Sequence, residues 1–505
     1  MRLQFRFRGA LTTVILCVGT LAVRADITVA IVNMVPRDQS DETHNDAEPN
    51  LAVNPVDRSQ IAGSAFTPNR LGGDAPIYIS TDGGNTWSLN FIVPSRGPDT
   101  GTGDITLRFA ESGTLYAGIL KLPTLGNVTR LNILRATDFT SATPMSVLVD
   151  RTGVDQPHVS SMRVPVGPEQ GKDRVLIGNN DFNEPQTAAV DRALDGRASP
   201  PAFQTFRLDS RQPTTGDGPQ IRCAIHPSGT VYTTFYSWRS VQEQKVEGGA
   251  LIRGLATVDV VVVRDDNWGT GPNAFQALTE SADNRPGRIV ATGRTLPWIN
   301  DFQDVSFGQE RVGGDLAIAT DPRPTAAGTV YLCWADRVDT SDYTLHVRQS
   351  TDRGVNWSTN DLLTLKNAKN PGLAVNSLGH VGIVFQELVN ASVVANQRWR
   401  TRMQVRDVDF HLIKEFTLSD TPAQVPDAPA HDGLPYLGDY LHLMSVDRDF
   451  YGVFPASNTP DRANFPAGVT YQRSANFDQK QLLDTDENAV PASIDPFFFK
   501  VTGDH

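Results

Sequence analysis

Acidic side chains recur at one point of a repeated pattern in this 505-residue chain. Glu48, Asp104, Asp155, Asp217, Asp315 and Asp439 each lead into a short apolar run, followed by a turn and a second apolar run. Paired carboxylates do general acid and base work, and hydrolysis of a glycosidic bond needs only two of them, their separation setting retention or inversion. A ring of carboxylates also suits a sugar or a cation. Asp ahead of a strand has a structural use too, because it accepts hydrogen bonds from backbone N–H groups of the incoming loop. Asp181, Arg239, Arg337 and Glu387 stand just after the second apolar runs. His158 opens the third copy, either as an acid/base or as the hydrogen-bonded partner of a loop carboxylate. His-x-x-x-His, Cys-x-x-Cys, phosphate-loop and Gly-x-Ser-x-Gly patterns are absent, which removes the usual zinc, nucleotide and serine-hydrolase chemistries. Asp484-Thr485-Asp486-Glu487-Asn488 hints at calcium, without the glycine and distal glutamate of a calcium loop.

The elements that position these residues are hairpins. Seven copies run from Glu48 to Phe66, Asp104 to Leu120, Asp155 to Asn180, Asp217 to Tyr236, Asp315 to Trp334, Asn370 to Gln386 and Asp439 to Phe454. A third strand follows most of them, and four strands per repeated unit is a propeller blade. The spacing predicts an all-β chain forming a single β-propeller of seven blades of four antiparallel strands, with six blades as the alternative. The stretch from Gly269 to Gln309 reads as an insertion in the fourth blade. Ring closure needs one end of the chain to complete the other end's blade, and Ile27 to Val35 or Phe497 to Val501 can supply the strand. In such a ring the first strands line a channel and the acidic lead-ins gather at one mouth.

Two segments, Ser80-Thr81-Asp82-Gly83-Gly84-Asn85-Thr86-Trp87 and Ser350-Thr351-Asp352-Arg353-Gly354-Val355-Asn356-Trp357, share the spacing Ser-x-Asp-x-Gly-x-x-Trp. This spacing resembles the Asp box, or BNR repeat, of the sialidase-like β-propellers, and the likeness in architecture extends over nearly the whole mature length. The box itself reads as a turn: glycine takes positive φ, Asp bonds backbone N–H groups and Trp packs between sheets. The resemblance implies Asp74 as acid/base, Tyr440 as nucleophile with Glu387 as its base, and Arg239 and Arg337 as clamps for a substrate carboxylate. One position departs from the family. Its first clamp belongs to an Arg-Ile-Pro motif, where this chain reads Ala47-Glu48-Pro49, and an acid there repels an anionic substrate. Met162-Arg163-Val164-Pro165 contains a similar string in the wrong blade.

Arg2, Arg6 and Arg8 precede an apolar stretch from Ala10 to Val23, then Val23-Arg24-Ala25. Residues 1–25 therefore read as a signal peptide and 26–505 as the propeller domain, secreted or periplasmic. Without the four arginines of the leader, 41 basic residues face 57 acidic ones, a charge near −16. Nucleic acid and anionic membrane surfaces are poor partners for that charge. Cys223 and Cys333 can form at most one disulfide. Trp238, Trp298 and Trp399 either stack on sugar rings or pack under loops. The reading is a secreted, exo-acting, monomeric glycoside hydrolase on polysaccharide or glycoconjugate, with no cofactor beyond a possible calcium. The alternatives are a non-catalytic propeller binding a glycan or protein, and a uronate-directed lyase pairing Tyr440 with Arg337.

Overall fold

The computed structural model describes residues 26–70, 73–95, 100–123, 128–211, 218–245, 252–299, 313–337, 343–390, 392–393, 396–423 and 437–503. The leader, Asp217 and the side chain of Trp298 lie outside the described residues. The chain is all-β. Helix is confined, among the described residues, to the short turns Arg37–Gln39 and Pro324–Ala326.

Turn residues cut the apolar runs into antiparallel ladders. The first sheet runs Asn50–Val53, Ile61–Ser64, Ile77–Ser80 and Ser88–Asn90, each strand bonded to the next. Thr100–Phe109, Leu115–Pro123, Arg130–Ala136 and Ser146–Thr152 make the second, and Val154–Arg163, Asp173–Asp181, Ala188–Ala193 and Phe203–Arg207 the third. The fourth ladder is Arg222–Ile225, Val231–Lys245, Ile252–Asp265 and Arg288–Ile299. The fifth is Leu316–Thr320, Val330–Arg337, Tyr343–Ser350 and Leu363–Lys366. A single residue pair, Thr295 with Arg337, joins the fourth and fifth. The sixth is Ala368–Val375, Val381–Val389, Arg398–Arg406 and Leu412–Pro422. The seventh combines both ends of the chain: His442–Val446, Asp449–Ser457, Ile494–Thr502 and, outermost, Thr28–Asn33.

The first strands touch one another in sheet order, and His442–Val446 of the seventh touches Asn50–Val53 of the first. Side chains stitch them together. Ser64 donates to the Ile105 carbonyl, Thr106 to Pro157, Ser160 to Cys223, Asn370 to Gly438 and Ser445 to Val375. The core follows the same order, because a two-faced sheet buries each face against a neighbour. Leu107 and Ile77 share one apolar cluster between the second and first sheets, Tyr116 and Ile177 another between the second and third, and so on round. Tyr78 and Trp87 of the first sheet pack with Tyr451 and Phe498 of the seventh, the Trp87 and Phe498 rings lying 5.4 Å apart.

Two local findings bear on the expectations. The stretch expected as an insertion supplies the fourth strand of the fourth sheet, Arg288–Ile299, where register shifts at Val258/Val260 and Val260/Val261 break the alternation that marks a strand in sequence. Cys223 and Cys333 are both buried free thiols in different sheets.

Candidate functional site

Backbone conformation sets the leading end of the first strands. Glu48, Gln156, Asp315 and Asn370 have φ of 53°, 51°, 60° and 51°, the left-handed region that non-glycine residues rarely occupy. Each such residue costs on the order of 1–3 kcal/mol, which the surrounding contacts must hold in place. At the corresponding point of the seventh sheet stands Gly438, φ 82°, where a Cβ would lie 2.1 Å from Glu48 Cγ. The turn therefore brings the backbone of one sheet directly onto the side chain of its neighbour.

Four side chains from four sheets meet there. The Tyr440 hydroxyl donates to Asp104 Oδ1 at 2.6 Å, and Arg222 Nη2 donates to Asp315 Oδ2 at 2.7 Å. The Arg222 guanidinium lies 5.9 Å from the centre of the Tyr440 ring, linking the two pairs. Glu48 Oε1 accepts the Asp439 N–H at 2.9 Å. Burial pushes the Asp315 carboxyl up to about 6, although Arg222 and the Leu316 N–H pull it down. Burial, then the charges of Asp104 and Glu48, hold the Tyr440 phenol well above its usual range. Tyr440 thus keeps its proton at neutral pH, with Asp104 as its hydrogen-bond acceptor.

Glu48, Asp104, Asp315, Asp439 and Tyr440 belong to this one assembly. Other expected residues are engaged elsewhere. Glu387 is not the partner of Tyr440: it ion-pairs with Arg402 at 3.3 Å, and Asp104 is the carboxyl that accepts the Tyr440 hydroxyl. Asp74 is buried in an ion pair with Lys121 and accepts from Thr102 Oγ1 at 2.8 Å. Arg239 is held by Asp259, with Nε 2.8 Å from its carboxylate, and Arg337 lies 6.0 Å from the Tyr343 ring. The arginine beside Tyr440 is therefore Arg222, not Arg337. Asp155 accepts the Gln156 N–H at 2.7 Å, and Asp181 takes Arg151 at 2.6 Å and Arg207 at 2.9 Å. Trp238 and Trp399 are 3% and 5% exposed, so they pack inside rather than offer a stacking surface. Asp484 ties its own exposed turn through the Asn488 N–H at 2.8 Å. Among the described residues, no group of three or more His, Cys, Asp or Glu side chains is placed to hold a metal ion.

Beside the assembly, along the first strands, runs a cavity of about 380 Å³. Arg108, His158, Arg222 and His442 contribute to its wall, with the two imidazoles 6.0 Å apart. Burial and the Arg222 charge hold both histidines well below the usual range, hence neutral. Sequence reasoning missed Arg108, Arg222 and His442. Their signal was a basic residue inside an otherwise apolar inner run, as in Ile221-Arg222-Cys223-Ala224-Ile225.

No family model and no curated protein matches this chain. Among solved structures, it is similar to the phage phi92 endosialidase, 12% identical, with a TM-score of 0.43 and covering 94% of this chain and 69% of that one. It is also similar to the α-L-arabinanase of Penicillium chrysogenum, 11% identical over 75% of this chain and 98% of that one, TM-score 0.40. The intramolecular trans-sialidase of Ruminococcus gnavus is 9% identical over 70% and 92%, TM-score 0.37.

Proposed function

We propose that this chain is a single, closed seven-bladed β-propeller, sialidase-like in architecture and exported, that hydrolyses glycosidic bonds in a polysaccharide or glycoconjugate from the chain end. The seven ladders, the circuit of first strands and the apolar layer between each pair of neighbouring sheets support the architecture. One observation carries the reaction: the array Asp104, Tyr440, Arg222 and Asp315. In this reading Tyr440 attacks the anomeric carbon as its proton passes to Asp104, an activated-nucleophile arrangement. Asp315, which titrates at about 6, gives its proton to the departing sugar oxygen. Water then attacks the glycosyl-tyrosine, giving a proton to Asp315, while Asp104 returns its proton to the departing Tyr440 oxygen.

Purified protein assayed on a panel of aryl glycosides tests this. Turnover by the parent is expected, with a loss of about 10²–10⁴-fold in Tyr440→Phe and in Asp315→Asn. Because the acid must carry its proton, kcat is expected to fall as pH rises through about 6. Unchanged turnover in Tyr440→Phe sinks the reading. The second reading, a non-catalytic propeller that binds a glycan or an exported protein on this face, is favoured by the sealing of the array. Tyr440 is 1% and Asp315 0% exposed, so a substrate reaches them only when covering residues move.

A further inference from the structure

The cavity beside the array has a chemistry of its own. Arg108 is half-buried in its wall and ion-pairs with no carboxylate among the described residues; its Nη1 has the Met444 sulfur, at 3.8 Å, for company. Arg222 spends Nη2 on Asp315, while Nε, buried in a side chain 6% exposed overall, has no partner. Nδ1 of His158 and Nδ1 of His442 are likewise without partners in residues 7% and 9% exposed. A buried polar atom left unpaired costs about 1–3 kcal/mol, and here three side chains from three different strands, Arg222, His158 and His442, carry that deficit around one space, with Arg108 beside them. Of the acids in the same wall, Asp447 pairs with Arg58 at 3.4 Å, and Glu111, whose charge acts on Arg108 without an ion pair, accepts the Arg163 N–H at 2.5 Å. The rest of the wall is largely aliphatic, including Val159, Leu373 and Leu443. At about 380 Å³ the space is within the usual range for small-molecule sites.

We propose that this cavity binds a small molecule bearing an oxyanion, whether carboxylate, sulfate or phosphate, with the anion held by Arg108, Arg222, His158 and His442 and an uncharged body along the aliphatic wall. Guanidinium forks match oxyanion geometry, and in a site shielded from water each such bond is stronger than at the surface. The anion also reverses the local field. In the empty cavity the two arginines hold the histidines neutral. A bound anion offsets the two guanidinium charges that disfavour the imidazolium form of either ring. Binding therefore takes up protons. The groups that set this titration are Arg108, Arg222 with Asp315 behind it, and the facing imidazole. Affinity therefore rises as pH falls, because the bound state holds a proton that the empty cavity disfavours.

Calorimetry and thermal unfolding with inorganic phosphate, sulfate and benzoate, each against chloride at equal ionic strength, test the site. Saturable binding of at least one probe is expected, tighter at about pH 6 than at about pH 8, with proton uptake. Preference for benzoate identifies an organic carboxylate, and preference for phosphate or sulfate a tetrahedral group. Arg108→Gln is expected to weaken binding at least about tenfold without lowering the melting temperature, because no ion pair is lost with it. Arg108→Lys should recover part of the affinity, and His442→Gln should bind but lose most of the gain at low pH. Binding is read without turnover, so Tyr440→Phe should keep its anion affinity whether or not the chain is a hydrolase. No probe exceeding chloride, or equal affinity in Arg108→Gln, overturns the proposal.

Discussion

A carboxyl group sealed from water keeps its proton, and Asp46 turns that into a pH dependence of stability. It is fully buried, its Oδ2 accepts from Thr67 Oγ1 at 2.9 Å and from Tyr78 at 3.0 Å, and burial together with the charge of Asp495 pushes it up to about 8. The unfolded chain releases this proton near 3.8, so between the two values the folded state holds a proton that the unfolded state has lost. The contribution of Asp46 to stability is therefore full below about 4 and declines as pH rises towards 8, by at most about 1.4 kcal/mol per pH unit. Asp46→Asn keeps an acceptor for Thr67 and Tyr78 and cannot ionise, so its melting temperature should gain on the parent's as pH rises; parallel profiles would refute the assignment. Legibility at this scale was partial. Asp104, Asp315, Asp439 and Tyr440 could be placed at one mouth because a lead-in position is fixed by the hairpin. The partner of Tyr440 could not, because Asp104 comes from 336 residues away and nothing local distinguishes it from Glu387.

Among the elements, the two Ser-x-Asp-x-Gly-x-x-Trp turns were the most readable, since their bonds are local. Ser80 Oγ accepts the Gly84 N–H at 3.0 Å and Asp82 Oδ1 the Thr86 N–H at 3.0 Å, while Ser350 and Asp352 do the same for Gly354 and Asn356, each at 2.8 Å. The surroundings differ, and no motif reveals that. A Cβ on Gly84 would meet the Phe498 ring at 2.2 Å, whereas one on Gly354 finds its nearest neighbours, Leu278 and Tyr232, at 3.4 Å. Both glycines have positive φ, 92° and 78°, so alanine carries a similar backbone penalty at each. Gly84→Ala is expected to cost about 1–3 kcal/mol more than Gly354→Ala in denaturant unfolding, the excess being overpacking against the seventh sheet. Equal costs would mean that Phe498 moves aside freely. The strand Arg288–Ile299 was unreadable for the opposite reason: its bulged pairing scatters apolar residues over both faces.

For the molecule as a whole, the repeated antiparallel ladders were legible and the joining of the two chain ends only half so. Both chain ends were candidates for a strand completing the other end's sheet; in the seventh sheet the two lie side by side, with Ile31 opposite Phe499 and Val32 opposite Phe498. Ile31, Val32, Met34 and Val35 are all buried, at 5% exposure or less. At roughly 1.5–3 kcal/mol for each such side chain, deleting residues 26–35 removes on the order of 6 kcal/mol or more, comparable with the whole stability of many domains. The truncated chain is expected to unfold or become protease-sensitive at temperatures the parent tolerates, and a synthetic peptide of residues 26–36 should restore resistance; an unchanged melting temperature would show the strand to be dispensable. The same pairing has a temporal side. Thr28 and Thr502 meet across 474 positions, so the strand Thr28–Asn33 has no ladder to join until its partner Ile494–Thr502 has been made. At about 5–20 residues per second that wait lasts roughly half a minute to a minute and a half. Throughout it Thr28–Asn33 stays unpaired, open to any helper or rival strand that arrives before Ile494–Thr502.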